Sequence, residues 1–284
     1  MKFVFIADFF TDQVLGGGEL NNDELIKILS AWGHQIVKIN SHFVTTNFIE
    51  QNKDKKFIIA NFINLRRDCF EVLYDKQYII YEHDHKYLTT RNPGIFPNFK
   101  APKEAIINYE FYKEAKAVLC QSSFHKGIVE KNLELENIIS TGGNLWSTES
   151  LNLMREISQK EKNKACSILK SNIGHKNTFE ALRFCQVKNL ECELIEDKDY
   201  HNFLRKLGSN EKFIFFPKTP ETLSRVVVEA RMMGASVITN NLVGATKEDW
   251  FKFKGKELIK IMDSKRSEIP KKVIGAFDEN TLNQ

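Results

Sequence analysis

The sequence lacks any apolar stretch long enough to cross a membrane. A spanning helix needs about 20 predominantly apolar residues, and no segment of the 284-residue chain approaches that length. The N-terminal run MKFVFIAD is interrupted by Asp8, so we expect no signal sequence there. We therefore predict a soluble, cytoplasmic protein, and a peripheral position at the inner membrane face is the second location considered.

Cysteine is scarce and forms no metal-binding pattern. The chain contains neither a Cys-x-x-Cys pair nor a Cys/His spacing typical of zinc sites. Scattered thiols of odd number indicate buried side chains in a reducing compartment rather than a disulfide framework. The five are Cys69, Cys120, Cys166, Cys185 and Cys192.

An excess of charge of one sign is also absent. The 41 lysines and arginines nearly balance 37 acidic residues, which gives a net charge of +4 and a pI near 8.6. This balance tolerates an anionic ligand or membrane surface but is not a nucleic-acid footprint. What the chain does have is 42% apolar residues and 22 phenylalanines, enough for one large α/β domain or two of about 140 residues each.

Short apolar runs separated by amphipathic segments fill the first half of the chain. The runs KFVFIA, QIVKIN, KFIIAN, QYIIYE, AVLCQS and NIIS predict six strands. Helices are predicted through ELNNDELIKILSAWG, around 103–115 and from Phe124. Such alternation is typical of a parallel sheet that is covered on both faces.

The second half repeats this alternation after a polar, glycine-containing connector at 141–150. Its strands are predicted at CSILKS, ECELIE, KFIFFP and SVITN, with helices between them. Two successive βαβ arrays indicate an α/β protein with two Rossmann-like domains that face each other across a cleft. We place these domains at residues 1–143 and 144–284, with the connector as the hinge.

The segment FPKTPETLSRVVVEARMMGASVITNN carries two glutamates, Glu221 and Glu229, eight positions apart. A Thr-Pro-Glu start would make them ordinary charges on a capped helix. Ser224 is a rival N-cap, which would leave PETL as a loop that offers backbone N–H groups to an anion at the sheet edge. Eight helical residues rise about 12 Å, which is the length scale from hexose to ribose in a sugar nucleotide.

This segment resembles the E-x7-E motif of retaining glycosyltransferases with the GT-B fold, those grouped as family 4. The resemblance implies that Glu221 contacts the donor sugar and that Glu229 contacts the nucleotide ribose. It also implies that intervening backbone amides meet the donor diphosphate. These amides belong to Thr222, Leu223 and Ser224.

A second segment, SNIGHKNTFEALRFC, resembles the stretch in which that family's lysine neutralises the donor phosphates. Here this residue is Lys176, and a solvated lysine at a helix start is the alternative. The family commonly has an arginine five residues earlier, where this chain has Ser171 beside Lys170, and whether Lys170 replaces it is open. The glutamate motif departs too, because Leu223-Ser224 stands where Phe-Gly is common.

The glycine-rich segment VLGGGELNN lies between the first predicted strand and the first predicted helix. Gly16, Gly17 and Gly18 would let the backbone approach a ligand, and a helix N-terminus favours an anion. The spacing is not G-x-G-x-x-G, but it resembles the GG-x-E loop that closes over the donor in these glycosyltransferases. A plain flexible turn is the alternative.

The segment YIIYEHDHKYLTTRNP places four ionisable residues at the end of a strand. Glu82 with Asp84, or His83 with His85, could bind a metal ion. His83-Asp84 also resembles the family's His-Asp pair, which implies that His83 faces the reacting sugar. A polar loop held together by its own contacts is the third interpretation. The candidates for contacting an acceptor are Lys86 and Arg91.

Together these resemblances imply a hexosyltransferase-type glycosyltransferase (EC 2.4) of glycan biosynthesis. It would move a sugar from a nucleotide-sugar, most simply a UDP-sugar, to the hydroxyl of an acceptor glycan, lipid or other compound. Glu221, His83 and Lys176 would carry the chemistry, with retention of configuration and with neither a metal nor a cofactor. The N-terminal domain would bind the acceptor and the C-terminal domain the donor.

Two other functions are considered. A non-catalytic nucleotide-sugar-binding module could keep the same fold. An enzyme that glycosylates modified bases in DNA would need a basic acceptor cleft, against which the net charge argues. The basic segment KFKGKELIKIMDSKRSEIPKK could contact anionic lipid or nucleic acid, or form a solvated helical face.

Overall fold

A computed structural model describes residues 1–278, which form two compact units. The first unit comprises Met1–Leu145 and residues 265–278, and the second comprises Trp146–Ser264. Each unit has its own parallel sheet. The predicted α/β class is therefore confirmed.

The first unit contains a six-stranded sheet in the order β2-β1-β3-β4-β5-β6, and every neighbouring pair is parallel. All six predicted runs form strands, as their β-branched and aromatic composition favours. The strands are β1 (Lys2–Ala7), β2 (Gln35–Asn40), β3 (Lys56–Ile59), β4 (Tyr78–Tyr81), β5 (Val118–Cys120) and β6 (Ile138–Ser140). The helices between them are α1 (Gly17–Ala31), α2 (Thr46–Gln51), α3 (Arg67–Tyr74), α4 (Tyr109–Lys113) and α5 (Ser123–Leu133).

Both faces of this sheet are buried, because successive side chains of a strand point to opposite sides. Phe3 and Phe5 of β1 pack with α1 on one face. Val4 and Ile6 lie on the other face, in the core that also contains residues of α2, α3, α4 and α5. This two-sided burial is what the continuous apolar runs predict.

The second unit contains a four-stranded parallel sheet in the order β10-β9-β7-β8. One face packs against α6, α8, α9 and the start of α10, and the other packs against α7. The strands are β7 (Asn163–Leu169), β8 (Cys192–Ile195), β9 (Asn210–Phe215) and β10 (Ser236–Thr239). The helices are α6 (Thr148–Ile157), α7 (Thr178–Val187), α8 (Tyr200–Leu207), α9 (Arg225–Met232) and α10 (Gly255–Gly275).

Helix α10 contributes to the cores of both units. Leu258 and Met262 lie in the core of the second unit. Ile269 and Val273 lie in the core of the first unit, together with residues of β1 and α1. The first unit is therefore built from two separate stretches of the chain.

Of the helix predicted around 103–115, only the C-terminal part is confirmed. The structure has a single 3-10 turn at Lys103–Ala105 and then the short α4. Between them, Asn108 has a left-handed backbone with a φ of 58°, which a continuous right-handed helix excludes. The Asn108 side-chain amide donates to the carbonyl of Lys86 at 2.8 Å, so a tertiary contact overrides the helical periodicity.

The five cysteines are free thiols, as predicted. Four are buried and Cys192 is half-buried. Within the described part of the chain, no helix combines the length and the apolar character needed to cross a membrane.

Candidate functional site

The predicted site residues follow strand ends in both units, at the sheet edge where α/β proteins bind ligands. In the first unit, Gly16–Gly18 follow β1 and His83 follows β4. In the second unit, Lys176 follows β7 and Glu221 follows β9. Each unit therefore brings together residues that are distant in the sequence.

Lys176 and Glu221 form an ion pair in the second unit. The Lys176 Nζ lies 2.8 Å from Oε1 and 3.0 Å from Oε2 of Glu221. Their side chains are 25% and 12% exposed, so the pair is accessible to a solute. Because β7 and β9 are neighbours in the sheet, the loops that follow them meet at one edge. Two residues predicted for one donor site are thus in direct contact.

The backbone of Glu221 is held by the segment that follows β10. Its N–H donates to the Leu242 carbonyl at 2.7 Å, and its carbonyl accepts from the Gly244 N–H at 2.9 Å. PETL is consequently a loop, and α9 begins at Arg225 with Ser224 in the N-cap position. The predicted Ser224 start is confirmed, and the alternative helix start at Thr-Pro-Glu is wrong.

Ser224 has a φ of 73°, in the left-handed region that favours glycine. This is the position at which the resembling motif commonly has glycine. The Ser224 Oγ is buried and forms no hydrogen bond within residues 1–278. The backbone N–H groups of Leu223 and Ser224 likewise donate no hydrogen bond within that range. Thr222 is half-buried, whereas the Leu223 side chain lies in the core, so Leu223 can offer a ligand only its backbone.

Glu229 is buried within a cluster of polar and aromatic side chains in the second unit. Its Oε1 accepts from Trp146 Nε1 at 2.9 Å and from the Tyr200 hydroxyl at 2.6 Å. Arg225 Nε lies 3.5 Å from the same oxygen, and its guanidinium lies 4.4 Å from the centre of the Trp146 ring. Burial raises the pKa of Tyr200, so its hydroxyl stays a donor. Glu229 is therefore an anchored carboxylate rather than a helix-surface charge.

The two residues at the position of the family's arginine have other contacts. Lys170 pairs with Glu196, and both side chains are exposed. The Ser171 hydroxyl accepts from the Ile173 N–H at 3.2 Å and so shapes the turn that leads towards Lys176. The structure therefore gives Ser171 a turn-stabilising contact and Lys170 a surface ion pair.

The glycine loop of the first unit lies against His83. Gly16 is the N-cap of α1, and Gly17 and Gly18 open the helix. A Cβ on Gly18 would lie 3.6 Å from the His83 ring, and a Cβ on Gly16 would overlap the Glu19 carboxylate. Burial raises the pKa of that carboxyl. The loop and the histidine, predicted separately from two motifs, form one group.

Two side chains that no motif marked hold the His83 ring. Its Nδ1 accepts from the Gln121 side-chain amide, and its Nε2 lies 2.6 Å from the Asn22 side-chain oxygen. These contacts fit a neutral imidazole that carries its proton on Nε2. Asn22 lies in α1, and Gln121 follows β5, the strand beside β4. The rule that functional residues follow strand ends could have found Gln121, whereas Asn22 had no such signal.

Glu82 is a buried structural carboxylate. Its Oε1 accepts from the N–H groups of His83 and Asp84, at 3.0 and 2.9 Å, and from the Lys86 ammonium. Its Oε2 accepts from the Tyr112 hydroxyl. Burial would raise the pKa of Asp84, but the Lys86 ammonium outweighs that effect and holds it at about 2. For Glu82, Asp84 and Lys86 these contacts support the interpretation of a polar loop held by its own partners, whereas the role implied for His83 stays a prediction.

His85 and His125 form a buried pair with ring centres 5.0 Å apart. Burial lowers the pKa of His85 to about 4 and that of His125 well below its usual value. Both rings are therefore neutral at pH 7. Among the residues that the structure describes, no group of three or more His, Cys, Asp or Glu side chains is arranged to hold a metal ion.

Solved structures match the chain over nearly its whole length, whereas no protein-family model and no curated protein matches it. The Anabaena protein Alr3699/HepE, solved with UDP-glucose, is 12% identical with a TM-score of 0.54, over 99% of this chain and 93% of that chain. The catalytic domain of Arabidopsis thaliana starch synthase IV, bound to ADP and acarbose, is 9% identical with a TM-score of 0.61, over 100% and 99%. A UDP-forming α,α-trehalose-phosphate synthase from Burkholderia vietnamiensis is 6% identical with a TM-score of 0.57, over 99% and 94%.

The chain has the GT-B fold. The prediction of two Rossmann-like domains of this type, made from the alternation of strands and helices and from the glutamate motif, is confirmed. At these identities the match is one of fold, and a fold by itself does not fix an activity. The function of this GT-B chain must therefore be argued from its own residues.

Proposed function

We propose that this GT-B protein is a glycosyltransferase that moves a sugar from a nucleotide-sugar donor to an acceptor hydroxyl. The observation that carries the proposal is the Lys176–Glu221 pair at the carboxyl edge of the second sheet. A nucleotide-sugar presents the complementary groups, because its phosphates suit an ammonium and its sugar hydroxyls suit a carboxylate. Donor binding would replace the ion pair with a contact between Lys176 and the phosphates and a contact between Glu221 and the sugar.

The second unit would bind the donor. Lys176 would contact the phosphates, and the amides of residues 222–224 would point at the diphosphate from the N-terminus of α9, which favours negative charge. Glu221 would orient the sugar. Glu229 would meet the ribose through Oε2, since its contacts within residues 1–278 converge on Oε1.

The chemical demand is to stabilise a departing nucleoside diphosphate and a sugar with oxocarbenium character. Lys176 and the loop amides would take up the leaving-group charge. In the first unit, the neutral His83 would face the reacting sugar, and the glycine loop beside it would approach the donor. The E-x7-E resemblance supports retention of configuration without a metal ion or cofactor. One of the similar structures was solved with UDP-glucose and another is of a UDP-forming synthase, and both support a UDP-sugar donor.

A thermal-shift panel of UDP, GDP, ADP, TDP and their common sugar conjugates tests the proposal. A ligand at 100 times its dissociation constant should add about 2.7 kcal/mol of stability. We expect one nucleotide to stabilise the wild type, and Lys176→Ala or Glu229→Ala to weaken that effect. Lys188→Ala is the matched control, because Lys188 is exposed at the opposite end of α7.

Release of the nucleoside diphosphate from the sugar conjugate then separates the enzyme from a binding module. Turnover that falls in Lys176→Ala but not in Lys188→Ala supports the proposal. Binding of a nucleotide-sugar without turnover in the presence of varied acceptors would favour the non-catalytic alternative. Absence of any nucleotide effect on the wild type would contradict the donor site itself.

A further inference from the structure

A cavity of about 210 Å³ lies in the first unit, separate from the His83 group. It is lined by residues that follow β3 and β4, and residues 107–108 contribute another part of the lining. Because these strands are parallel neighbours, the cavity lies at the carboxyl edge of the sheet, where such folds bind ligands. The donor site proposed above makes no use of it.

The inner wall of the cavity is apolar and fixed by packing. Phe62, Phe70 and Leu88 line it and are buried. The Phe62 ring meets the Phe70 ring edge-on, with centres 5.8 Å apart, and Phe70 stacks on Phe111 at 4.3 Å. A preformed aromatic wall of this kind selects a ligand that carries an apolar group.

The ionisable side chains that line the cavity are all cations. Two of them are balanced by carboxylates that lie outside the lining. Lys86 lies 2.9 Å from Asp84, and Arg91 lies 3.2 Å from the same residue. Lys86 also pairs with the buried Glu82. The charges of these four residues therefore sum to zero.

Arg67 gives the cavity a positive charge that is not held in an ion pair among residues 1–278. Its guanidinium donates to the Asn108 side-chain oxygen at 2.5 Å and lies 5.2 Å from the centre of the Phe70 ring. An exposed arginine fork beside an apolar wall is suited to a carboxylate or phosphate.

We propose that this cavity binds an organic anion whose carboxylate or phosphate contacts Arg67 and whose apolar part contacts Phe62 and Phe70. Its volume equals that of about seven water molecules at roughly 30 Å³ each, which is room for one ring-sized group. This inference rests on the proposed function in one respect: the anion is the acceptor of the sugar or a part of that acceptor.

Calorimetric titration of the full chain with four probes tests this inference. Phenyl phosphate and benzoate combine charge with a ring, inorganic phosphate has the charge alone, and benzyl alcohol has the ring alone. We expect one of the two aromatic anions to bind at least about tenfold more tightly than inorganic phosphate or benzyl alcohol, since loss of either contact removes a favourable interaction. The better of the two identifies the anionic group.

Two arginine variants locate the binding site. Arg67→Gln should weaken the binding of the aromatic anion about tenfold. Arg66→Gln should keep the wild-type affinity, because Arg66 is the adjacent exposed arginine and pairs with Asp68 outside the lining. If both variants lost the same affinity for the aromatic anion, only general charge attraction would be shown and the inference would be overturned. The same holds if the wild type bound inorganic phosphate as tightly as the aromatic anion.

A cavity-filling variant provides an independent test. Ile107 is half-buried and lines the cavity, so Ile107→Trp should block the aromatic anion while the thermal midpoint stays near that of the wild type. Undiminished binding in a folded Ile107→Trp protein would overturn the inference.

UDP binding by the same chain separates the two proposals. Anion binding without UDP binding contradicts only the proposed function, and UDP binding without anion binding contradicts only the cavity.

Discussion

Two of the acid–lysine pairs that follow strands of this protein differ in burial. Glu82 and Lys86, after β4, are both buried, and the Glu82 carboxylate accepts hydrogen bonds from four groups. Glu221 and Lys176, after β9 and β7, are partly exposed, and the two carboxylate oxygens of Glu221 contact one ammonium. Their residue types are the same, but their surroundings are not.

The difference shows which pair can exchange its partner for a ligand. A buried ion pair is stable only when further hydrogen bonds satisfy both charges, and removing one partner leaves the other charge uncompensated. A partly exposed pair contributes little to stability, because water and salt screen it. We therefore expect Glu82 and Lys86 to stabilise the loop after β4. We expect Glu221 and Lys176 to bind a ligand.

The largest expected effect follows from removing the buried carboxylate. Glu82→Ala leaves the Lys86 ammonium with one carboxylate fewer in a buried site, and should lower the free energy of unfolding by about 3–5 kcal/mol. Glu221→Ala is its matched partner and should change that free energy by less than about 1 kcal/mol. Urea denaturation of both variants measures the contrast. Similar losses in the two would show that burial does not separate the pairs.

Removing the partly exposed Lys176 should affect activity far more than stability. Lys176→Ala takes away the cation that we propose for the leaving group, and should lower nucleoside diphosphate release about 10²–10³-fold at saturating donor. Its free energy of unfolding should change by less than about 1 kcal/mol. Lys188→Ala should keep wild-type turnover. Retained activity in Lys176→Ala would remove the lysine from the chemistry.

The buried histidines should make the first unit sensitive to acid. The pKa of His85 is about 4 in the folded protein and 6.5 when unperturbed, so between these values the unfolded chain binds more protons. Stability should therefore fall as the pH drops from about 6.5 to about 4, by up to about 1.4 kcal/mol per pH unit for this group.

Two variants isolate that slope from other titrating groups. His85→Gln should flatten the dependence of unfolding free energy on pH across this window, measured at pH 7, 6 and 5. His42→Gln makes the same substitution at an exposed histidine and serves as the control. The comparison uses slopes, since His85→Gln also loses the contact between His85 and the Tyr87 hydroxyl at 3.1 Å. Identical slopes in the wild type and His85→Gln would contradict the assignment.

The smallest expected effect concerns the loop before α9. Ser224→Gly relieves a left-handed serine and removes a buried hydroxyl that has no hydrogen-bond partner among residues 1–278, so it should stabilise the protein by about 1 kcal/mol or more. Ser224→Ala removes the hydroxyl but keeps the backbone strain. The thermal midpoint of the glycine variant should exceed that of the alanine variant. The reverse order would show that the backbone is not strained.

The central strands could be predicted because they are buried on both faces. KFVFIA and KFIFFP are unbroken apolar runs, and such runs are typical of parallel strands between helix layers. The interruption of the helix predicted around 103–115 could not be foreseen, because the left-handed Asn108 is held by a contact to Lys86, 22 residues away. The helix start predicted at Thr-Pro-Glu is wrong for a similar reason. The backbone of Glu221 pairs with the segment after β10, and this contact overrides a locally favourable helix start.

In the candidate site, residues that directly follow a strand could be predicted. Residues that only hold another side chain in place were harder to predict. Lys176, Glu221 and His83 all lie at strand ends, and motif resemblance marked them. Trp146 and Tyr200, which hold Glu229, are 83 and 29 positions away from it. Arg225 is the exception among the partners of Glu229, because a separation of four on a helix places two side chains on one face.

The divided construction of the first unit has a consequence for synthesis. Residues that complete the face of β1 beside α1 lie beyond position 264, after the whole of the second unit. At roughly 5–20 residues per second, a ribosome takes on the order of ten seconds to make the intervening stretch. During that time Phe3 and Phe5 lack the packing that Ile269 and Val273 provide. A nascent chain stalled before residue 265 would present this apolar face to chaperones and proteases.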